Sequence, residues 1–191
     1  NTIDLLMPTW TPGSYLIREF SRNIVLTKAY SGKNKLKLYK LNKNTWRVDL
    51  DNHQKLTFEY EVYAFDMSVR SSFLDSEHAM INGASIYLIP KGFENQQLSI
   101  EFEPFHNWNK ITTTLSNYKS SKERFIANNF DELIDSPVEL GNHKIRQFIA
   151  SDISHEYAII SSGNEKVNTI ISDTQKIVES VHKIFGSIPY D

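Results

Sequence analysis

The spacing of apolar positions along the chain changes once. Up to residue 161 the apolar runs are short, and the clearest of them alternates. There Leu56, Phe58, Tyr60 and Val62 are interleaved with Thr57, Glu59, Glu61 and Tyr63, which predicts a strand with one buried and one wet face. Antiparallel sheets carry that pattern. Residues 3–8, 24–30, 35–41, 84–89, 98–102, 111–115, 124–127, 144–150 and 156–161 read as further strands. Ser31-Gly32-Lys33-Asn34 joins the second and third as a hairpin. Trp46, Val48 and Leu50 share one face of a strand over residues 45–50, and Val138 and Leu140 open another. Residues 65–82 read as irregular strand and loop, with a turn at 76–79.

From residue 167 the period becomes three and four. Val167, Ile170, Ile171, Thr174, Ile177, Val178, Val181, Ile184 and Phe185 fall on one face of an amphipathic helix of about six turns. Asn164 is its expected N-cap, Glu165 suits the first turn, Gly186 sits at the C′ position and Pro189 stops it. The fold class is therefore mainly β, an antiparallel sandwich with one C-terminal amphipathic helix. The expected division is a β domain over residues 1–162 and a helix over 163–191.

Near the start, Trp10-Thr11-Pro12-Gly13-Ser14-Tyr15 reads as a strand end and a tight turn. Pro12 pre-sets φ for the first central position and Gly13 takes the positive φ that a type II turn needs next. Trp10 and Tyr15 flank the turn in position to pack across it. Leu16 and Phe20 predict a short helical segment after Ser14 as N-cap.

Composition narrows the function. The 191 residues carry 21 basic and 23 acidic side chains, with no basic stripe for nucleic acid or an anionic membrane. Without cysteine there are no disulfides and no thiolate metal sites. No apolar run reaches membrane-spanning length and no leader is visible, which together with the missing cysteine favours the cytoplasm. The chain opens in strand-like sequence without an initiator Met and stops just after a helix and its cap. A piece of a longer polypeptide is expected.

Candidate chemistry is sparse. His155-Glu156 begins like the zinc-binding H-E-x-x-H, but Ile159 stands where the second His belongs and the segment reads as a strand. The remaining histidines lack ligand spacing and read as structural. Asp131, Glu132, Asp135 and Glu139 cluster in sequence. They read first as a solvated turn with Asp135 bonding to nearby backbone N–H groups, and second as an acidic cleft for a cation or amino group. Arg18, Arg22 and Arg70 are ion-pair candidates for those acids. There is no G-x-S-x-G elbow and no phosphate-cradling glycine loop.

Trp10-Thr11-Pro12-Gly13-Ser14-Tyr15, followed by Arg18, Phe20 and Asn23, resembles the N-terminal region of the glycyl aminopeptidase family, gluzincin zinc metallopeptidases that often bear a PDZ domain. The likeness continues in order through Trp46, Tyr60-Glu61-Val62-Tyr63-Ala64, Ser68-Val69-Arg70, Ile81-Asn82-Gly83-Ala84-Ser85, Trp108 and Thr112-Thr113-Thr114-Leu115. It ends with Asp131-Glu132-Leu133-Ile134-Asp135-Ser136-Pro137-Val138-Glu139-Leu140-Gly141 and Ile184-Phe185-Gly186-Ser187-Ile188-Pro189-Tyr190. The resemblance implies a β-saddle like the N-terminal domain of aminopeptidase N-type enzymes, which flanks the catalytic domain and helps shape the cleft. The resemblance makes residues 163–191 the first helix of a truncated catalytic domain and places the family's zinc ligands and general base past Asp191. No catalytic residue and no metal ligand is therefore expected in this chain, and zinc is expected only in the parent enzyme.

Peptides with a small N-terminal residue, Gly or Ala, would be the substrate, met through the catalytic domain. Asp135, Glu139 and Gly141 are the first candidates to reach the cleft, then Asn82 and Arg70. Trp10, Pro12, Gly13, Tyr15 and Arg18 are expected to be structural marks of the family. The rival readings are a stand-alone sandwich module that binds carbohydrate or protein, and an interaction domain of a peptidase that has lost its metal.

Overall fold

The computed structural model describes residues 1–160 and 163–190. The strands begin with β1 (Thr2–Leu6), β2 (Ile24–Ser31), β3 (Asn34–Lys35), β4 (Lys37–Asn42), β5 (Thr45–Asp49) and β6 (Thr57–Val62). Next come β7 (Phe73–Leu74), β8 (His78–Ile81), β9 (Ile89–Pro90), β10 (Leu98–Glu101), β11 (Lys110–Thr113), β12 (Ser116–Asn117) and β13 (Arg124–Ala127). A short helix α1 (Phe130–Asp135) leads into β14 (Val138–Gly141), β15 (Lys144–Ala150), β16 (Ile153–Ile159) and the long helix α2 (Val167–Phe185).

Every strand pairing is antiparallel. The chain divides into two compact units, Asn1–Gly141 and Asn142–Asp191. The first holds four sheets with strand orders β4-β5-β1-β9, β3-β2-β6, β10-β13-β12 and β11-β14-β8-β7.

Two apolar cores fill this unit. One gathers Leu5, Met7, Phe20, Trp46, Val48 and Ala84; the other gathers Ala79, Phe102, Phe125, Phe130, Leu133 and Val138. The face shared by Trp46 and Val48 is thus inside, as the alternation requires. Ile134 of α1 packs against both clusters, which makes this short helix the joint between them.

The second unit contains the β15–β16 hairpin and α2. Gly186 closes α2 in the left-handed conformation, φ 73°, and its N–H donates to the His182 carbonyl at 2.7 Å. No residue of α2 is buried, and Ile177, Val181, Ile184 and Phe185 are exposed. The strand expected over 156–161 is β16; Ser161 lies outside the described residues.

Several local expectations change. The helical turn near the N-terminus is a 3-10 segment at Phe20–Asn23 and does not follow Ser14. The Ser14 hydroxyl instead organises a non-helical turn: it donates to the Leu16 carbonyl and accepts from the Leu16 N–H and Arg18 Nε. The run 35–41 breaks at buried Leu36, whose N–H donates to Ala29, and the chain moves to the neighbouring sheet as β4. Residues 84–89 are not a strand; Gly83–Ser85 is a buried 3-10 turn and only Ile89 and Pro90 pair.

The turn placed at 76–79 ends earlier, because Asp75 Oδ1 accepts from the N–H groups of Glu77 and His78 and launches β8 at His78. Those two bonds hold the Asp75 carboxyl below its ordinary range. α2 starts at Val167 with Lys166 at its N-cap, so Asn164 does not cap it.

The acidic stretch begins as a capped helix and not as a solvated turn. Asn129 Oδ1 accepts from the Glu132 N–H at 2.8 Å, and the Glu132 carboxylate reaches back to the Asn128 N–H. Asn at the N-cap and Glu at N3 stand as in a capping box, with the carboxylate reaching one residue further back, to Asn128. Asp131 and Glu132 lie in the first turn, where the helix dipole favours negative charge. Asp135 is exposed at the last turn.

Candidate functional site

Glu139, Gly141 and Asn82 lie on one sheet of the first unit, at the two ends of β8, whereas Asp135 ends α1. The first residue of β8, His78, lies opposite Gly141 in β14, and Met80 lies opposite Glu139. His78 and Glu139 are therefore diagonal neighbours on one face. His78 Nδ1 and Glu139 Oε1 are 2.8 Å apart, both side chains are largely buried, and the imidazole packs on Phe73 with ring centroids 5.3 Å apart. Burial pushes the Glu139 carboxyl above its ordinary range, against the opposing pull of the His78 hydrogen bond.

Gly141 is required where it stands. Its φ is +154°, and a Cβ there would lie 3.0 Å from His78 Cβ and 3.3 Å from the Glu77 carbonyl.

The other end of β8 carries Asn82. Its N–H donates to Ser72 Oγ at 2.9 Å and its side-chain amide to the Val69 carbonyl at 3.3 Å. Its own carbonyl accepts from the Ser85 N–H and hydroxyl, and the Ser72 and Ser85 hydroxyls are 2.8 Å apart. Gly83 follows because nothing larger fits: a Cβ would sit 2.7 Å from Ile134 Cα and 2.9 Å from the Leu133 carbonyl oxygen. The string from Asn82 to Ser85 is thus keyed directly to α1, joining two stretches that the sequence holds about fifty residues apart.

Arg70 belongs to a third cluster. Its guanidinium donates to the Gly13 carbonyl at 3.3 Å. Thr11-Pro12-Gly13-Ser14 forms the expected turn, with Ser14 N–H donating to Thr11 at 3.1 Å and Gly13 at φ 79°. Trp10 Nε1 donates to the Ser14 carbonyl at 2.8 Å. Tyr15 is 99% exposed, so it does not pack across the turn with Trp10, whose indole is spent on Ser14. Arg18, Arg22 and Arg70 do not pair with the acids of 131–139; Arg18 donates to Ser14 and Arg70 to Gly13 among the described residues.

Along the middle of the same sheet runs an apolar groove of about 690 Å³, lined by Val62, Phe73, Ile81, Phe102, Trp108 and Leu140. Ser72, Asp75, Ser76 and Glu103 supply its polar lining. Of the stretch from Asp135 to Gly141 only Leu140 reaches this groove. Asp135, Glu139, Gly141, Asn82 and Arg70 do not line it.

The His78–Glu139 pair was not readable in the sequence, since 61 positions separate its members and only the register of β8 on β14 joins them. Among the described residues no three His, Asp or Glu side chains converge as metal ligands.

Comparison with known proteins decides the family. A model described as the peptidase M61 N-terminal domain matches residues 1–142. The chain belongs to the peptidase M61 family. The M61 match ends one residue after the first compact unit, so all three clusters fall inside it. A crystal structure of an aminopeptidase N family protein from Idiomarina loihiensis superposes on this M61 chain with a TM-score of 0.87 at 32% identity. The match covers 98% of this chain and 33% of that one. The chain thus spans about a third of that relative's length. No curated protein matches it. No described helix is long and apolar enough to cross a membrane.

Proposed function

We propose that this chain is the non-catalytic N-terminal β domain of a zinc-dependent aminopeptidase, and that it shapes one wall of the cleft for peptides with a small N-terminal residue. The observation that carries the reading is the M61 N-terminal match over residues 1–142. The aminopeptidase N family relative, three times as long, supports it. The apolar groove beside β14 suits a wall that excludes water around a short peptide. The chemistry belongs to the rest of such an enzyme, where zinc would polarise the scissile carbonyl and activate water.

The test is to express the gene product that contains this chain and assay glycyl and alanyl peptide substrates, with and without a zinc chelator. Chelator-sensitive release of the N-terminal residue is expected from the longer polypeptide and none from the 191 residues alone. A longer polypeptide that cleaves no peptide removes the reading.

A further inference from the structure

Two loops of the first unit turn apolar side chains outward. In residues 9–18, Trp10, Tyr15, Leu16 and Ile17 are exposed, the last three at 99%, 65% and 72%. In residues 63–70, Tyr63, Phe65, Met67 and Val69 are exposed, from 59% to 79%. Single exposed apolar residues are ordinary, but eight on two adjoining loops are not.

These loops are also fixed in place. The Ser14 hydroxyl and carbonyl hold Arg18 and Trp10, Arg70 ties the second loop to Gly13, and Asn82 ties it to the sheet through Val69. At the far end Phe65 bridges to Phe73, rings 5.1 Å apart, and so the band runs on into the apolar groove. A surface with exposed aromatics on pre-set loops loses little conformational entropy when it is covered. Trp, Tyr and Arg in such a setting are the residue types that anchor interfaces.

We infer that the band formed by residues 10–17 and 63–69 is an intramolecular docking surface, covered by the remaining part of the longer M61 polypeptide. The occupant is argued from length: the solved relative matches 98% of this chain, yet two-thirds of that relative lies outside the match. The inference rests on the reading of this chain as one part of a longer peptidase. It adds to that reading the face that meets the rest.

Hydroxyl-radical footprinting tests it, because Trp10, Tyr15 and Met67 are reactive side chains whose labelling reports their exposure. They are expected to label readily in the 191-residue chain and to lose that labelling in the longer gene product. Tyr39, exposed on β4 and no part of the band, is expected to label equally in both. In the longer product, Tyr15→Ser combined with Ile17→Ser is expected to restore labelling of Met67.

Equal labelling of Tyr15 and Met67 in the two polypeptides overturns the inference, as does a gene product that ends at Asp191. A 191-residue chain that dimerises in sedimentation, and loses the dimer with the same two substitutions, overturns it in favour of a second copy. The peptidase assay is read separately. A longer product that protects the band but cleaves no peptide keeps the docking surface and discards the enzymatic reading; cleavage without protection does the reverse.

Discussion

The strings Asn82-Gly83-Ala84-Ser85 and Trp10-Thr11-Pro12-Gly13-Ser14-Tyr15 both mark the chain as a peptidase relative, and both use a glycine and a serine. In the first, Gly83, Ala84 and Ser85 are all buried, and the glycine lets one backbone touch another at α1. In the second only Ser14 is buried, and the glycine serves a turn whose neighbours point into solvent. Gly83 is needed for space, Gly13 for φ. A family signature therefore does not announce its role. One of these strings holds the two cores together, and the other presents a surface.

The contrast breaks first at Gly83. Gly83→Ala places a methyl against backbone atoms that cannot rotate away, so the 3-10 turn must separate from α1. Over-packing of this kind costs about 3 kcal/mol, and a lowering of the melting temperature by roughly 6–12 °C is expected for a chain of this size. Thermal unfolding followed by circular dichroism checks it. Gly13→Ala meets no atom within 4 Å, and only its φ of +79° opposes the change. A loss nearer 1 kcal/mol is the expected cost of that backbone strain. If the two variants melt together, the distinction between the glycines fails.

Asn129→Ala comes next. It removes the N-cap acceptor for the Glu132 N–H, at a cost of about 1 kcal/mol. Since Ile134 of the same helix packs on both cores, denaturant unfolding should remain a single transition with a lower midpoint and an unchanged slope. Separate transitions for the two cores would show that α1 does not join them.

Much of this arrangement was legible in the residues themselves. Period-two alternation located β5, β6, β10 and β14, and three-and-four spacing located α2, because an amphipathic pattern is written within a single segment, even in α2, none of whose residues is buried here. Proline and glycine located the turn at Pro12-Gly13. What stayed hidden depends on partners distant in sequence. Leu36 ends a strand because of the sheet it enters. Residues 84–89 are apolar enough for a strand, yet contact with α1 curls their start into a 3-10 turn. The Asn129-x-x-Glu132 spacing is a local capping signal, but it lies inside an acidic run whose charge masks it. The His78–Glu139 pair needed the register of two strands 61 residues apart, which no local pattern carries.

That pair gives a prediction of slope more than of size. Burial keeps the Glu139 proton bound to higher pH in the folded chain than in the unfolded one. Between the ordinary value near 4.5 and its raised value the folded state holds the extra proton, so stability falls as pH rises through that window. Glu139→Gln keeps an acceptor for His78 and removes the titration. The variant is expected to lose this descent, leaving Asp75, whose carboxyl lies below its ordinary range, as an opposing contribution that fades only as pH falls through its lowered value. Midpoints of urea unfolding at a series of pH values check the sign; an unchanged descent in the variant would place its origin elsewhere.

The smallest expected effect is the most informative for the outward string. Tyr15 is 99% exposed, and its neighbour Ser14 carries the hydrogen bonds that fix the loop through its hydroxyl and carbonyl. Tyr15→Ser should thus change the stability of the 191-residue chain by no more than about 0.5 kcal/mol, the range of surface substitutions that touch no buried feature. A side chain so large and so poorly used by its own fold costs nothing to remove from that fold. Loss of stability well beyond that range would mean that Tyr15 is held by this chain after all. The two strings would then differ in degree and not in kind.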